Sequence, residues 1–158
     1  MIRDETAEDH KAVRDLLIAA FGGDGEARLV DALRADGDQP IALVAEHYGV
    51  VAGFIAMSHL REPADALALA PLAVNPQYQG TGVGSALVEA AIARARTANA
   101  SLIFVLGDTN YYQRFGFLVD AAAAFDCAYA GPHFMALRIS PAAPGAGAVV
   151  YSARFSEL

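Results

Sequence analysis

The sequence predicts an α/β fold in which one mixed central β-sheet carries helices on both faces. Three observations predict it. Apolar residues recur at helical spacing through the first quarter of the chain, and the period then switches to runs of apolar and β-branched residues around a tight turn. Next, a strand, a glycine-rich turn and a helix follow one another directly, ahead of the continuous apolar run Ser101–Leu106. A chain of 158 residues is the size of one ordinary domain, so residues 1–158 are read as a single domain.

Taken in order, Ile2–Asp4 reads as a short strand, and Thr6-x-x-Asp9 as a capping box ahead of a helix with Val13, Leu16, Leu17 and Ala20 on its apolar side. Asp24 is placed to start a second helix, Leu29, Val30 and Leu33 to bury it, and Gly37 to stop it. Ile41–Glu46 and Val50–Ser58 flank His47-Tyr48-Gly49 as the arms of a hairpin. Leu67–Val74 reads as a third long strand, but Pro71 has no N–H for a ladder, so a bulge or an opening between strands is expected there. A helix runs from about Val83 to Ala98, with Val83, Ala86, Leu87, Ala90 and Ala91 on one side and Asn99 as its stop. Ser101–Leu106 has the composition of a strand covered on both faces. A short helix at Tyr111–Phe115 and strands around Phe117–Val119, Phe134–Ile139 and Val149–Phe155 complete the chain. Pro141–Gly147 is a turn-rich connector between them.

Composition narrows the function. Apolar residues make up 55% of the chain and the formal net charge is -7, which removes the basic footprint that nucleic-acid binding requires. The single Cys127 allows no internal disulfide, and its mostly apolar neighbourhood reads as core packing. His10, His47 and His133 lack metal-ligand spacing, so no metal is expected. The charged start Met1-Ile2-Arg3-Asp4-Glu5 is unlike a signal peptide and no apolar run has membrane-spanning length, so a cytoplasmic protein with no membrane partner is expected.

The chemistry concentrates in Pro76-Gln77-Tyr78-Gln79-Gly80-Thr81-Gly82-Val83-Gly84-Ser85. A strand, a glycine turn and a helix N-terminus together form an anion site: first-turn N–H groups lack intrahelical partners, and the helix dipole favours negative charge. A tight turn with close helix packing would use one or two glycines; three at alternate positions favour an anionic ligand. No lysine follows Gly84, which excludes a nucleotide-hydrolysing P-loop, and Gly-x-Gly-x-Gly after several strands fails the dinucleotide fingerprint in register and position.

Gln77-x-x-Gly80-x-Gly82 resembles the pyrophosphate loop of the GNAT family of N-acetyltransferases, Arg/Gln-x-x-Gly-x-Gly/Ala. The flanks agree, with PLAV-x-P before the loop and SALVEAAIARA after it. VAEHYGVVAGFIA resembles the second and third strands of the family, and YYQRFGF its terminal Tyr-x-x-x-Gly-Phe element. The segments FGGDGEARLVDALRAD, VLGDTNYYQRFGF and YSARF further resemble the bacterial YhbS-like subgroup.

The resemblance implies a sheet splayed near its fourth strand, with acetyl-CoA as cosubstrate and an amine as acceptor; it leaves a homodimer open. It implies that backbone groups of Leu72, Ala73 and Val74 pair with the pantetheine arm, and that the Val74 amide polarises the acetyl carbonyl. Gln79, Gly80, Thr81, Gly82, Val83, Gly84 and Ser85 would cradle the pyrophosphate, and Asn110 is assigned to a cofactor-contacting asparagine. In the family this chain resembles, the departing thiolate is usually protonated by a tyrosine. Tyr112 holds the matching position in YYQRFGF, while Tyr111, four residues before Phe115, reads as core packing. Asp108, Glu26 and His59 remain alternatives for the general base. The function implied is acetyl transfer to a primary amine of a small molecule or protein by direct attack, with a non-catalytic acetyl-CoA sensor as the alternative.

Overall fold

A computed structural model describes residues 1–158. Its main elements are β1 (Ile2–Asp4), α1 (His10–Phe21), α2 (Gly25–Asp36), β2 (Ile41–His47), β3 (Val50–His59), β4 (Leu67–Val74), α3 (Val83–Thr97), β5 (Leu102–Leu106), α4 (Thr109–Tyr112), α5 (Val119–Ala122), β6 (Phe125–Asp126), β7 (Phe134–Arg138) and β8 (Gly147–Ala148). Six strands form one sheet in the order β1-β2-β3-β4-β5-β7, while β6 and β8 pair separately. The β4–β5 pair is parallel, and β1–β2, β2–β3 and β5–β7 are antiparallel. The predicted mixed α/β sheet is therefore present, with α3 supplying the crossover that a parallel pair needs. The chain forms two compact units: Met1–Ser58, Ala70–Arg94 and Ala153–Leu158 make the first, and His59–Leu69 with Ala95–Ser152 the second.

In the first unit the Asp9 carboxylate accepts hydrogen bonds from the Thr6 amide at 2.8 Å and hydroxyl at 3.2 Å, and it meets both arms of the Arg3 guanidinium. The box starts a short 3₁₀ turn at Ala7–Asp9 that runs into α1. Val13, Leu16 and Leu17 from α1 and Ala27 and Val30 from α2 cluster with Val44, Phe54, Ala56 and Ala73. Ala20, assigned to this apolar side from its spacing, is exposed, as α1 ends one residue later at Phe21.

Gly53 occupies the opposite face of β3 from its neighbour Phe54 and faces α3. A Cβ there would lie 2.8 Å from Leu87 Cδ1, 3.0 Å from Val83 Cγ1 and 3.2 Å from the Ala73 carbonyl oxygen. The first turns of α3 therefore rest on bare backbone, and helices cover both faces of the sheet. The buried stripe of α3 is Leu87, Val88, Ala91, Ile92 and Ala95. Of the expected side, Leu87 and Ala91 are buried and Val83 and Ala90 half-buried, while Ala86 is exposed.

In the second unit, Leu67, Ala68 and Leu69 of β4 pair with Ile103, Phe104 and Val105. The ladder ends at Leu69, two residues before the donor-less Pro71, where the sequence expects an opening. The Phe104 ring stacks on Phe134 and meets Phe125 edge-on, with centroids 5.4 and 5.1 Å apart. Leu60, Ala66, Ala68, Leu102, Ala122 and Val149 join this core. Asn99, at φ 60°, ends α3 as predicted, and Ser101 bonds the Asp65 carboxylate at 2.8 Å. Two strand expectations are corrected. Leu118 makes only an isolated bridge to Ala136 before α5 begins, and Val150 a bridge to Glu62, with residues 153–157 coiling as a 3₁₀ helix.

Two outcomes follow from this packing. The Arg3 guanidinium holds the Asp9 carboxyl well below the usual carboxylate range, against an upward push from burial and with help from the Thr6 amide. A depressed folded value makes this stabilisation complete above the unfolded value of about 3.9, to be lost as pH falls toward the folded value. Asp9→Asn is therefore expected to lower the Tm by several degrees at pH 7, and the gap to wild type should shrink between about pH 4 and pH 2. A gap of constant size across thermal melts in that range would remove the ion pair as its cause. Gly53→Ala should cost about 1–3 kcal/mol by overpacking, read as a Tm loss of several degrees, with Gly53→Val costing more. Equal melting of Gly53→Ala and wild type would show that α3 accommodates a side chain there.

Candidate active site

β4 delivers the chain into the glycine loop with its side chains alternating: Ala73 is buried, and Leu72 and Val74 are half-buried. The Asn75 amide donates to the Ala52 carbonyl at 2.7 Å, holding the exit of β4 against β3. The Asn75 side chain then accepts from the Gln77 amide at 3.0 Å and caps the single 3₁₀ turn Pro76–Tyr78. The Thr81 hydroxyl donates to the Tyr78 carbonyl, and the Gln79 side-chain amide reaches the Val74 carbonyl at 3.4 Å. These local bonds shape the loop without using any charged group.

Gly80 and Gly82 take left-handed backbone angles, φ 76° and 89°, and a Cβ on either would meet nothing within 4 Å. Glycine is needed there for conformation and not for room. Gly84 differs from both, lying inside the first turn of α3. The Ala86 amide bonds the Gly82 carbonyl at 3.0 Å, so the amides of Val83 and Gly84 ahead of it have no carbonyl of the helix to bond. Gln79, Gly80, Thr81 and Gly82 are exposed, and Val83, Gly84 and Ser85 half-buried. An accessible run of backbone at the positive end of a 15-residue helix has the chemistry to receive an anion, and the residues present fit a pyrophosphate.

In the second unit, the Asp108 carboxylate caps α4 by accepting from the Asn110 amide at 2.9 Å, and its carbonyl accepts from the Tyr112 amide at 3.0 Å. The Tyr112 ring lies on Gly107, where a Cβ would come 2.8 Å from Cε2. It also meets Phe117 edge-on at 5.8 Å. Burial, with the neighbouring Tyr111 adding to it, pushes the Tyr112 phenol up to about 12. The spacing argument pairs Tyr111 with Phe115 as found, but it is corrected in turning Tyr112 away from the packed side, since both rings are half-buried. Tyr111 packs with Phe115 at 5.4 Å under the Arg114 guanidinium, and Tyr112 is the ring set against the fully buried Phe117. The short α4 passes at once into a 3₁₀ turn, which shifts the angular positions that a continuous helix would give.

Among the other candidates, Asn110 is exposed, and Asp108 is engaged as a helix cap. His59 is exposed at the end of β3, and Glu26 is half-buried in the first turn of α2. Cys127 packs against the second unit's core, where burial pushes its thiol up, away from the reactive thiolate. Gly53 and Gly107 are the two positioning residues that sequence reasoning missed. An isolated glycine inside the apolar strand VVAGFIA is the signal for a close backbone approach; Gly107, just past a strand end, carries no such signal.

Residues 10–117 match the model of the acetyltransferase (GNAT) family, a stretch that draws on both units. The chain is 34% identical over 135 residues to the uncharacterized N-acetyltransferase YhbS of Escherichia coli strain K12, covering 83% of this chain and 81% of that protein. The crystal structure of E. coli YhbS in complex with CoA is similar, with a TM-score of 0.91 and 32% identity over 99% of this chain and 91% of that one. A GNAT acetyltransferase of Brucella melitensis in complex with acetyl-CoA gives a TM-score of 0.84 and 34% identity, covering 98% and 97%. Family match, sequence identity and fold agree: the chain belongs to the GNAT family of acetyltransferases.

Proposed function

We propose that residues 1–158 work as one acetyl-CoA-dependent N-acetyltransferase domain, in the cytoplasm, acting on a primary amine of a small molecule or protein. The observation that carries this reading is the Gly80–Gly82 turn at the start of α3, an exposed backbone cradle for a pyrophosphate. It is supported by the relatives of known structure, one in complex with CoA and the other with acetyl-CoA.

On this reading the amides from Gln79 to Ser85 bind the pyrophosphate, and Leu72, Ala73 and Val74 pair with the pantetheine arm as an added strand would. Asn110 adds a cofactor contact. The amine nitrogen attacks the thioester carbon, the C–N bond forms, and the C–S bond breaks. The Val74 amide stabilises the negative charge that develops on the carbonyl oxygen. Tyr112 gives its phenolic proton to the departing thiolate, and the amine's proton leaves through water or a base. A phenol pushed up to about 12 by burial is fully protonated at neutral pH, the state a general acid requires.

The direct test is free-thiol release from acetyl-CoA across amines, polyamines, aminoglycosides and lysine peptides. Tight cofactor binding with no release from any of them would favour a sensor over an enzyme. Acetyl-CoA is expected to raise the Tm by ligand linkage, and Gly82→Asp to abolish that rise by straining the turn and setting a carboxylate against the pyrophosphate. A folded Gly82→Asp protein with unchanged affinity would remove the loop from cofactor binding. Tyr112→Phe should leave cofactor affinity nearly unchanged and lower turnover by about 10²- to 10⁴-fold. The wild-type rate should climb with pH as the acceptor amine, at about 10.4 for a lysine, loses its proton, without falling before about 12. Equal turnover of the two proteins would assign the proton to solvent.

A further inference from the structure

The tip of the β2–β3 hairpin carries an aromatic group that neither the fold nor the acetyl-transfer step uses. Tyr48 is 99% exposed and sits at φ 49°, a left-handed conformation that bulky side chains rarely adopt. With Gly49 at φ 77°, it forms the two-residue turn in which asparagine, aspartate or glycine is the favoured first residue. A tyrosine there adds backbone strain and leaves its whole ring in water, so it contributes nothing to folding that a smaller residue would not do better.

Its surroundings point to a ligand. The His47 ring lies between two tyrosines, 5.8 Å from Tyr48 and 5.2 Å from Tyr78, the latter edge-on. Tyr78 ends the 3₁₀ turn two residues before Gly80, and its carbonyl accepts the Thr81 hydroxyl. The three rings are thus continuous with the glycine loop through Tyr78. All belong to the unit that holds the loop.

We infer that the Tyr48 ring, with His47 beside it at a tilt of 50°, is a stacking platform for the adenine of the cofactor. This rests on the loop binding the pyrophosphate, as proposed above. In coenzyme A the pyrophosphate joins two halves. Once the pantetheine half follows β4 away from the loop, the 3′-phosphoadenosine half must leave in another direction. Purines bind to exposed aromatic faces without needing a specific hydrogen-bond pattern. The exposed Tyr48 ring offers that face, His47 bridges it to the loop, and the imidazole N–H is available to the ribose 3′-phosphate.

Binding of acetyl-CoA and of S-acetyl-4′-phosphopantetheine, which lacks the adenosine half, by wild type, Tyr48→Asn and Tyr48→Phe tests this. Tyr48→Asn suits the left-handed turn, so its Tm is expected to hold or rise, while acetyl-CoA affinity falls on the order of 10-fold from lost stacking. Tyr48→Phe keeps the ring and should bind within about two-fold of wild type. The truncated thioester should bind all three proteins alike. Acetyl-CoA affinity unchanged in Tyr48→Asn, or an equal loss for both ligands, would overturn the platform. If wild type binds neither ligand, the pyrophosphate assignment itself fails; if it binds both and only the adenosine-dependent difference is missing, the platform alone fails.

Discussion

The contact of α3 with the bare backbone of Gly53 is the constraint on which the first unit's chemistry depends. It lets Val83 and Leu87 approach β3 closely enough that the helix begins directly beside the exit of β4. The chain has only Asn75–Gly82 in which to turn from strand to helix. Within that stretch Gly80 and Gly82 take left-handed angles, φ 76° and 89°, which residues with a side chain rarely adopt. The second of these glycines is followed at once by Val83, which packs on Gly53, so the exposed loop leads directly into the close contact between α3 and β3.

A parallel relation holds in the second unit. β5 is paired on both edges and buried along most of its length, and it ends at Leu106, where the chain must turn into α4. Asp108 fixes that start by capping, and Gly107 leaves space for the ring that follows. Tyr112 is therefore held by packing on two sides, Gly107 and Phe117, and the same packing desolvates its phenol. Positioning and the upward pKa displacement have one physical origin. A tyrosine placed by hydrogen bonds to charged partners would not combine them in this way.

How much of this was legible follows from the kind of signal each feature leaves. Caps and stops are local: Thr6-x-x-Asp9, Asp24, Gly37 and Asn99 act within a few residues of themselves, and all lie where the sequence puts them. The hairpin and the strand LALAPLAV were equally readable, because apolar and β-branched runs, a turn dipeptide and a proline each have a direct backbone meaning. The packed side of α3 was readable as well, with Leu87 and Ala91 buried as expected; the close approach to Gly53, thirty residues earlier in a different strand, was not. Tyr111 meets Phe115 as its spacing suggests, but Tyr112 packs as well, on Phe117, in a helix that becomes 3₁₀ after four residues. Phe117–Val119 and Val149–Phe155 have strand composition, but they make only isolated bridges at Leu118 and Val150 and a single amide bond from Val149 to the Asp126 carbonyl. Composition cannot reveal a missing neighbour.

The distribution of charge bears on how an acidic chain could hold an anionic cofactor. Arg3, Lys11, Arg14, Arg28, Arg34, Arg94 and Arg154 each lie within 4 Å of a carboxylate, so much of the positive charge of the first unit is already compensated. None of these residues lies in the segment from Asn75 to Ser85, which contains no lysine or arginine. Recognition of a phosphate there must come from amide hydrogens and the helix dipole, which are fixed by the backbone and act over short range. Such a site gains little from long-range steering, and the net charge of -7 opposes approach of an anion. On the proposed reading, further affinity would come from parts of the cofactor that carry no charge: the pantetheine arm, through strand-like pairing, and the purine, through stacking. An uncharged loop on an acidic protein thus makes contacts at both ends of the cofactor more important than they would be beside a cluster of lysines.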